Sequence, residues 1–128
     1  MEKDQNKSRI TLIVGASENP ERYAFRAAQM LKQNGFSFLP IGIKKGKVLG
    51  QEILDLVQKP ELKDIHTITL YLGPNHQEQW MDYLFSLHPK RIIFNPGTEN
   101  PIFYSRAKAA GIDALNACTL VMLTTSQY

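Results

Sequence analysis

Apolar residues in this chain fall in short blocks separated by glycine, proline and asparagine. Residues 10–14 (Ile-Thr-Leu-Ile-Val) run β-branched and apolar without alternation, which predicts a strand covered on both faces, as a central parallel strand is. Gly15 ends that run. Asn19 then suits an N-cap and Pro20 a first helical turn, predicting a helix over residues 20–34. Within it Ala24, Ala27, Ala28 and Leu31 fall at i, i+3, i+4 and i+7, one apolar stripe with small residues for close packing on a sheet. Gly35 fits the left-handed residue after the helix, and residues 36–41 read as a second strand, completing a βαβ unit with a right-handed crossover.

The pattern continues in the same style. Residues 42–49 form a basic loop around Gly46, followed by a short strand-like segment over 48–53. Residues 55–64, polar and holding Pro60, read as a short helix and a loop. A strand over 67–72 is broken by Gly73-Pro74, with Asn75 opening a helix to about Leu87 whose buried side carries Trp80, Leu84 and Leu87. A strand at 91–94 closes at Asn95-Pro96-Gly97. Asn100-Pro101 again pairs a cap with a first-turn proline, and Phe103, Ala107 and Ala110 share a helical face. Gly111 ends that helix and 112–115 makes a last strand. The apolar tail 118–123 is compatible with helix or strand.

Such an alternation predicts an α/β fold: a Rossmann-like, doubly wound, mainly parallel sheet of about five strands in three layers. The expected strand order is 3-2-1-4-5, with the ligand crevice between the strands beginning at Ile10 and Thr67, where the order reverses. Residues 1–8 read as a polar tail and 9–128 as one domain. The strand, glycine turn and helix N-terminus of the first loop form an anion-binding geometry, with free amides and the positive end of a helix dipole.

Composition narrows this picture. With 43% hydrophobic and 21% charged residues in 128, the chain has the make-up of a globular protein. The polar start carries no apolar stretch of a secretory signal, no run approaches bilayer-spanning length, and a single cysteine, Cys118, allows no internal disulfide; together these predict a cytoplasmic protein without membrane attachment. A net charge of +3, without a dense basic face, argues against a nucleic-acid partner.

The first loop lacks G-x-G-x-x-G, and no acid follows the second strand; Lys44, Lys45 and Lys47 stand there instead. A carboxylate would bind a free ribose hydroxyl, whereas lysines suit a ribose-linked phosphate, so NAD is disfavoured and NADP or coenzyme A fits the charge. A solvated basic hairpin is the plain alternative. Ser17 lacks the G-x-S-x-G setting of a hydrolase nucleophile and reads as a hydroxyl donor to phosphate. Cys118 reads as an inert thiol, and His66, His76 and His88 have no metal-ligand spacing. Glu18 and Glu99 lie in first turns, where a carboxylate complements the helix dipole. Tyr23 and Arg26 lie within reach of the first helix start. Ser17-Glu18-Asn19-Pro20 recurs as Thr98-Glu99-Asn100-Pro101, either because both are good caps or because both loops line one crevice, with Gly73-Pro74-Asn75 between them. No catalytic set stands out.

Several stretches together resemble the small stand-alone CoA-binding proteins: residues 14–20 (Val-Gly-Ala-Ser-Glu-Asn-Pro), 40–44, 48–50, 95–101 (Asn-Pro-Gly-Thr-Glu-Asn-Pro) and 117–123. These are similar to the N-terminal CoA-binding domain of the succinyl-CoA synthetase α subunit, and the resemblance covers residues 9–125. It implies a Rossmann-like fold that binds coenzyme A or an acyl-CoA at the carboxyl edge of the sheet. Gly15 and Ala16 belong to the matching first loop, and Ser17, Glu18, Asn19 and Pro20 match the family's ligand residues there. Lys44, or Lys45 in an equal register, matches the basic residue after the second strand. Pro96, Gly97 and Thr98 match a loop against the cofactor, and Leu72, Gly73 and Pro74 would flank the pantetheine arm. Gly42-Ile43 stand where many relatives carry Asn-Pro. The synthetase uses a phosphohistidine in a separate domain, so the resemblance implies ligand binding without ligase activity. An NADP-linked reductase or small acyl-CoA enzyme is the alternative; a homodimer or a partner enzyme would suit a module that lends its cofactor.

Overall fold

A computed structural model describes residues 9–128; the polar tail expected at 1–8 lies outside them. Five strands of the main sheet are β1 (Ile10–Val14), β2 (Phe38–Gly42), β6 (Ile65–Leu70), β7 (Arg91–Phe94) and β8 (Asp113–Asn116). The sixth, β5 (Leu54–Asp55), extends its edge beyond β2, giving the order β5-β2-β1-β6-β7-β8 with parallel pairing throughout. This is the expected order with one further strand. The expected single segment over 48–53 is instead an antiparallel hairpin, β3 (Lys47–Val48) with β4 (Gln51–Glu52), leading directly into β5. Two residues per strand is all the Gly46–Ile53 closure leaves, since the Ile53 amide donates to the Gly46 carbonyl (2.9 Å).

Helices cover both faces. On one, Ala24, Ala28 and Leu31 of α1 (Tyr23–Gln33) and Leu123 of α4 (Thr119–Thr124) pack on Ile13 and Phe38. On the other, Met81 and Leu84 of α2 (Met81–Ser86) and Phe103 and Ala107 of α3 (Pro101–Ala109) pack on Leu12, Leu70, Ile92 and Phe94. Residues 12–14, 68–70 and 92–94 are buried on both faces of the sheet, which is why β1, β6 and β7 show no alternation of apolar and polar positions.

Local chemistry explains most boundaries. Gly35 sits at φ +81 and Phe36 N–H donates to Leu31 O (2.9 Å), closing α1 in a Schellman turn; Gly111 (φ +79) and Ile112 repeat this after α3. Asn100 Oδ1 accepts from the Phe103 amide (3.1 Å), capping α3 behind Pro101. Three expectations change. Asn75 does not open a long helix: Pro74–His76 and Glu78–Trp80 are 3₁₀ turns and only α2 is α-helical, although Trp80, Leu84 and Leu87 are buried as expected. Asp55, whose Oδ1 accepts from Val57 N–H (3.0 Å), starts a single 3₁₀ turn, Leu56–Gln58. Ala110 is exposed, because it is the residue at which α3 has already ended. The open tail question resolves as helix, α4.

Candidate functional site

The carboxyl ends of β1 and β6 part at the reversal of strand order, and three adjoining hollows run along this edge. The middle one, about 310 Å³, is walled by Gly15, Ala16, Ser17, Arg22, Tyr23, Ala24, Ile43, Lys44, Tyr71 and Leu72. On the β2 side it shares Ile43 and Lys44 with a charged pocket of about 470 Å³ that adds Gly46, Lys45 and Lys47 and, on its far wall, the carboxylates Glu52 and Asp55. On the β7 side it shares Tyr23 and Tyr71 with an apolar slot of about 230 Å³ completed by Asn95, Pro96, Cys118 and Leu120.

Gly15 makes the close approach possible. At φ +93, a β-carbon there would stand 2.9 Å from the Tyr71 carbonyl carbon and oxygen, so only glycine lets the β1 turn lie against the end of β6. Gly42 plays the same part on the other side, where an added β-carbon would sit 3.2 Å from Ala16 O.

The loop's hydrogen bonds revise which amides can serve a ligand. Gly15 and Ala16 N–H both donate to Ile41 O (3.0 Å each), tying the turn to β2 rather than facing outward. Asn19 does not cap a helix: its Oδ1 accepts from Glu21 N–H (3.0 Å), its carbonyl accepts from Arg22 N–H, and α1 begins only at Tyr23. Pro20 therefore sits in a turn before the helix, not in its first turn. Between residues 15 and 24, the amides without an internal partner are those of Ser17 and Glu18 and of Tyr23 and Ala24 in the first turn of α1. Ser17, Tyr23 and Ala24 line the middle cleft. Ser17 Oγ accepts from Asn19 N–H (3.1 Å), which leaves its own proton to donate.

Charge is distributed along the same edge. The sole ion pair among the described residues, Arg106 with Asp82 (2.9 Å), lies elsewhere, so Lys44, Lys45 and Lys47 have no carboxylate partner. Glu18 packs against the hairpin: a β-carbon at Gly46 would come within 2.6 Å of its Oε2.

Gly15, Ala16, Ser17, Tyr23, Lys44 and Leu72 thus meet in one cleft, with Lys45 and Pro96 in its two extensions. The other sequence candidates lie outside these walls. Glu18, Asn19 and Pro20 are exposed; Arg26 lies along the outside of α1, its guanidinium 5.6 Å from the centre of the Tyr23 ring. Gly73 and Pro74 lead into a 3₁₀ turn, and Gly97 is exposed. Thr98 is buried, its hydroxyl donating to Asn95 O (2.8 Å) and its carbonyl accepting from Gln77 Nε2 (2.7 Å). Thr98 shapes the loop from beneath.

Arg22, Ile43, Tyr71, Asn95, Cys118 and Leu120 are wall residues that pattern reading did not single out as such. Position was the available signal: Tyr71 directly follows β6 and Asn95 directly follows β7. Asn95 is held rigidly. Its Nδ2 donates to Thr69 Oγ1 (2.7 Å) and Leu70 O (2.8 Å), and its Oδ1 accepts from Thr119 N–H (2.9 Å). Burial holds the Tyr71 phenol well above its ordinary pKa; its hydroxyl is turned toward Thr69 and Thr119 and makes no hydrogen bond of its own. Among the described residues no three His, Cys, Asp or Glu side chains gather into a metal site.

Comparison with known proteins gives this geometry a family. The crystal structure of an uncharacterized protein is 43% identical over 94% of this chain and 98% of its own, with a TM-score of 0.91. A protein from Thermus thermophilus (21% identity, 98% and 93% covered, TM-score 0.79) and a hypothetical protein from Pyrococcus horikoshii (24%, 96% and 85%, 0.81) share the fold. No curated protein matches the chain. The family model described as "CoA binding domain" matches residues 9–124. With nearly its whole length inside that match, the chain belongs to the CoA binding domain family.

Proposed function

We propose that the protein binds coenzyme A or an acyl-CoA along the carboxyl edge of the sheet, and performs no chemistry of its own. Family membership supports coenzyme A as the ligand in general. The observation that carries the placement is the continuity of three unlike hollows: unpaired lysines, then unpartnered amides at a helix start, then an apolar slot. That order suits a ribose phosphate, a diphosphate and a thiol-bearing arm in turn. The amides of Ser17, Tyr23 and Ala24, with the Ser17 hydroxyl, would hold the diphosphate, aided by the positive end of the eleven-residue α1. Lys44 and Lys45 would hold the 3′-phosphate by point-charge contact.

Titration calorimetry of Lys44→Glu combined with Lys45→Glu tests this. Each lost charge-assisted contact is worth ~1.5–3 kcal/mol, so CoA should weaken at least about tenfold while dephospho-CoA changes little. Equal weakening of both ligands would refute the role given to the lysines. Lysines of this kind also suit the 2′-phosphate of NADP. Thermal shifts with NADP, NAD, CoA and acetyl-CoA separate the readings: stabilisation by NADP alone would make the protein a reductase candidate.

A further inference from the structure

We propose that the slot bounded by Tyr23, Tyr71, Asn95, Pro96, Cys118 and Leu120 receives the acyl end of a short-chain acyl thioester of CoA; this rests on the coenzyme A reading of the adjoining cleft. The slot opens from that cleft between the shared residues Tyr23 and Tyr71, so a ligand arm leaving the first loop toward β7 enters it.

Its walls offer a ligand little to bond with. Asn95 has a polar side chain, but both of its amide atoms are spent on Thr69, Leu70 and Thr119. The Tyr71 hydroxyl is turned inward toward Thr69 and Thr119, leaving the ring as wall. The side chains of Pro96 and Leu120 are carbon alone, and the Cys118 thiol forms only weak hydrogen bonds. An alkyl group gains from such a lining, whereas an amide of the pantetheine arm would forfeit its hydrogen bonds there.

Size then limits the occupant. A volume of about 230 Å³ equals roughly eight water-sized groups at about 30 Å³ each. The two methylenes, sulfur, carbonyl carbon and carbonyl oxygen of an acyl thioester's end use five of these. About three remain for carbon beyond the carbonyl, which is an acetyl-to-butyryl range. The Asn95 wall is firm, because its side chain bonds β6 and the start of α4, so a longer chain cannot push into that wall by a small shift.

The test is a calorimetric series of CoA, acetyl-, propionyl-, butyryl-, hexanoyl- and octanoyl-CoA on the full chain. Each methylene buried in the slot should tighten binding about fourfold, up to butyryl, with affinity falling again by octanoyl. Leu120→Trp, which fills the slot, should erase the ratio between butyryl-CoA and CoA affinities. Leu120→Ala should move the optimum to a longer chain. CoA binding with an affinity flat across the series, or with the butyryl-to-CoA ratio unmoved by Leu120→Trp, overturns the slot assignment and leaves the cofactor reading standing. Failure of CoA itself to bind overturns both.

Discussion

Gln77 is fully buried and holds two loops of the site together. Its Nε2 donates to Leu72 O (2.8 Å) and Thr98 O (2.7 Å), and its Oε1 accepts from Asn100 Nδ2 (3.1 Å). Replacing it by leucine strands one buried and one half-buried carbonyl, so Gln77→Leu should cost about 2–4 kcal/mol in denaturant unfolding. A loss below about half a kcal/mol would show that water takes over both bonds. His66 is a second single-residue effect. Arg91 Nε can only donate, so Thr67 Oγ1 accepts from it (3.0 Å) and keeps its own proton for His66 Nδ1 (2.7 Å). Burial first, then Arg9, Arg91 and Lys90, lower the His66 pKa from 6.5 to about 4. The unfolded chain therefore binds the extra proton more readily between those values. Stability should be full above pH 6.5 and decline as pH falls toward 4, a decline that thermal melts of His66→Gln should show reduced. No local pattern announces the bond of Gln77 to Thr98, 21 residues on, or the charge of Arg91, 25 residues on, that acts on His66.

At the level of elements, one sequence motif has two structural outcomes. Ser17-Glu18-Asn19-Pro20 and Thr98-Glu99-Asn100-Pro101 each follow a glycine with positive φ, at +93 and +91. Asn100 caps α3, whereas Asn19 folds onto Glu21 and an extra turn precedes α1. Asn100→Ala should therefore cost about 1 kcal/mol, and Asn19→Ala only a few tenths, as expected for an exposed turn residue. Equal losses in the two variants would contradict the assignment. Gly15 is the other element-scale constraint. Its turn permits contact between β1 and the end of β6, so Gly15→Ala should lower both thermal stability and CoA affinity. Retained affinity with a lowered melting temperature would separate the turn from the cleft.

For the whole molecule, the sheet puts loops distant in sequence along one edge and closes the opposite edge with Tyr128. The Tyr128 ring meets Phe36 edge-on (centroids 4.9 Å apart) and lies under the Arg91 guanidinium (4.4 Å), while its hydroxyl bonds Thr11. It thereby ties the start of β1, the start of β7 and the segment after α1. Tyr128→Ala should cost about 2–4 kcal/mol, measured by urea unfolding, and should leave CoA affinity unchanged because the proposed ligand edge is at the other end of the strands. A matching loss of affinity would mean that the two edges are coupled.

The chain's own pattern was enough for the α/β class, the central strands, the strand order and the glycines that end two helices, since burial on two faces, helical spacing and left-handed backbone leave marks on neighbouring residues. It was enough, too, to bring Gly15, Ser17 and Lys44 to the walls of one cleft, because each follows a strand at the same edge. Tertiary contact decided the rest. Only the approach of β2 consumed the Gly15 and Ala16 amides and left those of Ser17, Tyr23 and Ala24 as the unpartnered donors of the cleft. Only the pairing of β6 with β7, and α4 beside them, gathered Tyr71, Asn95, Cys118 and Leu120 around a slot. A hydrogen bond between residues far apart in the chain leaves no periodicity behind, and a cavity is a property of several segments at once.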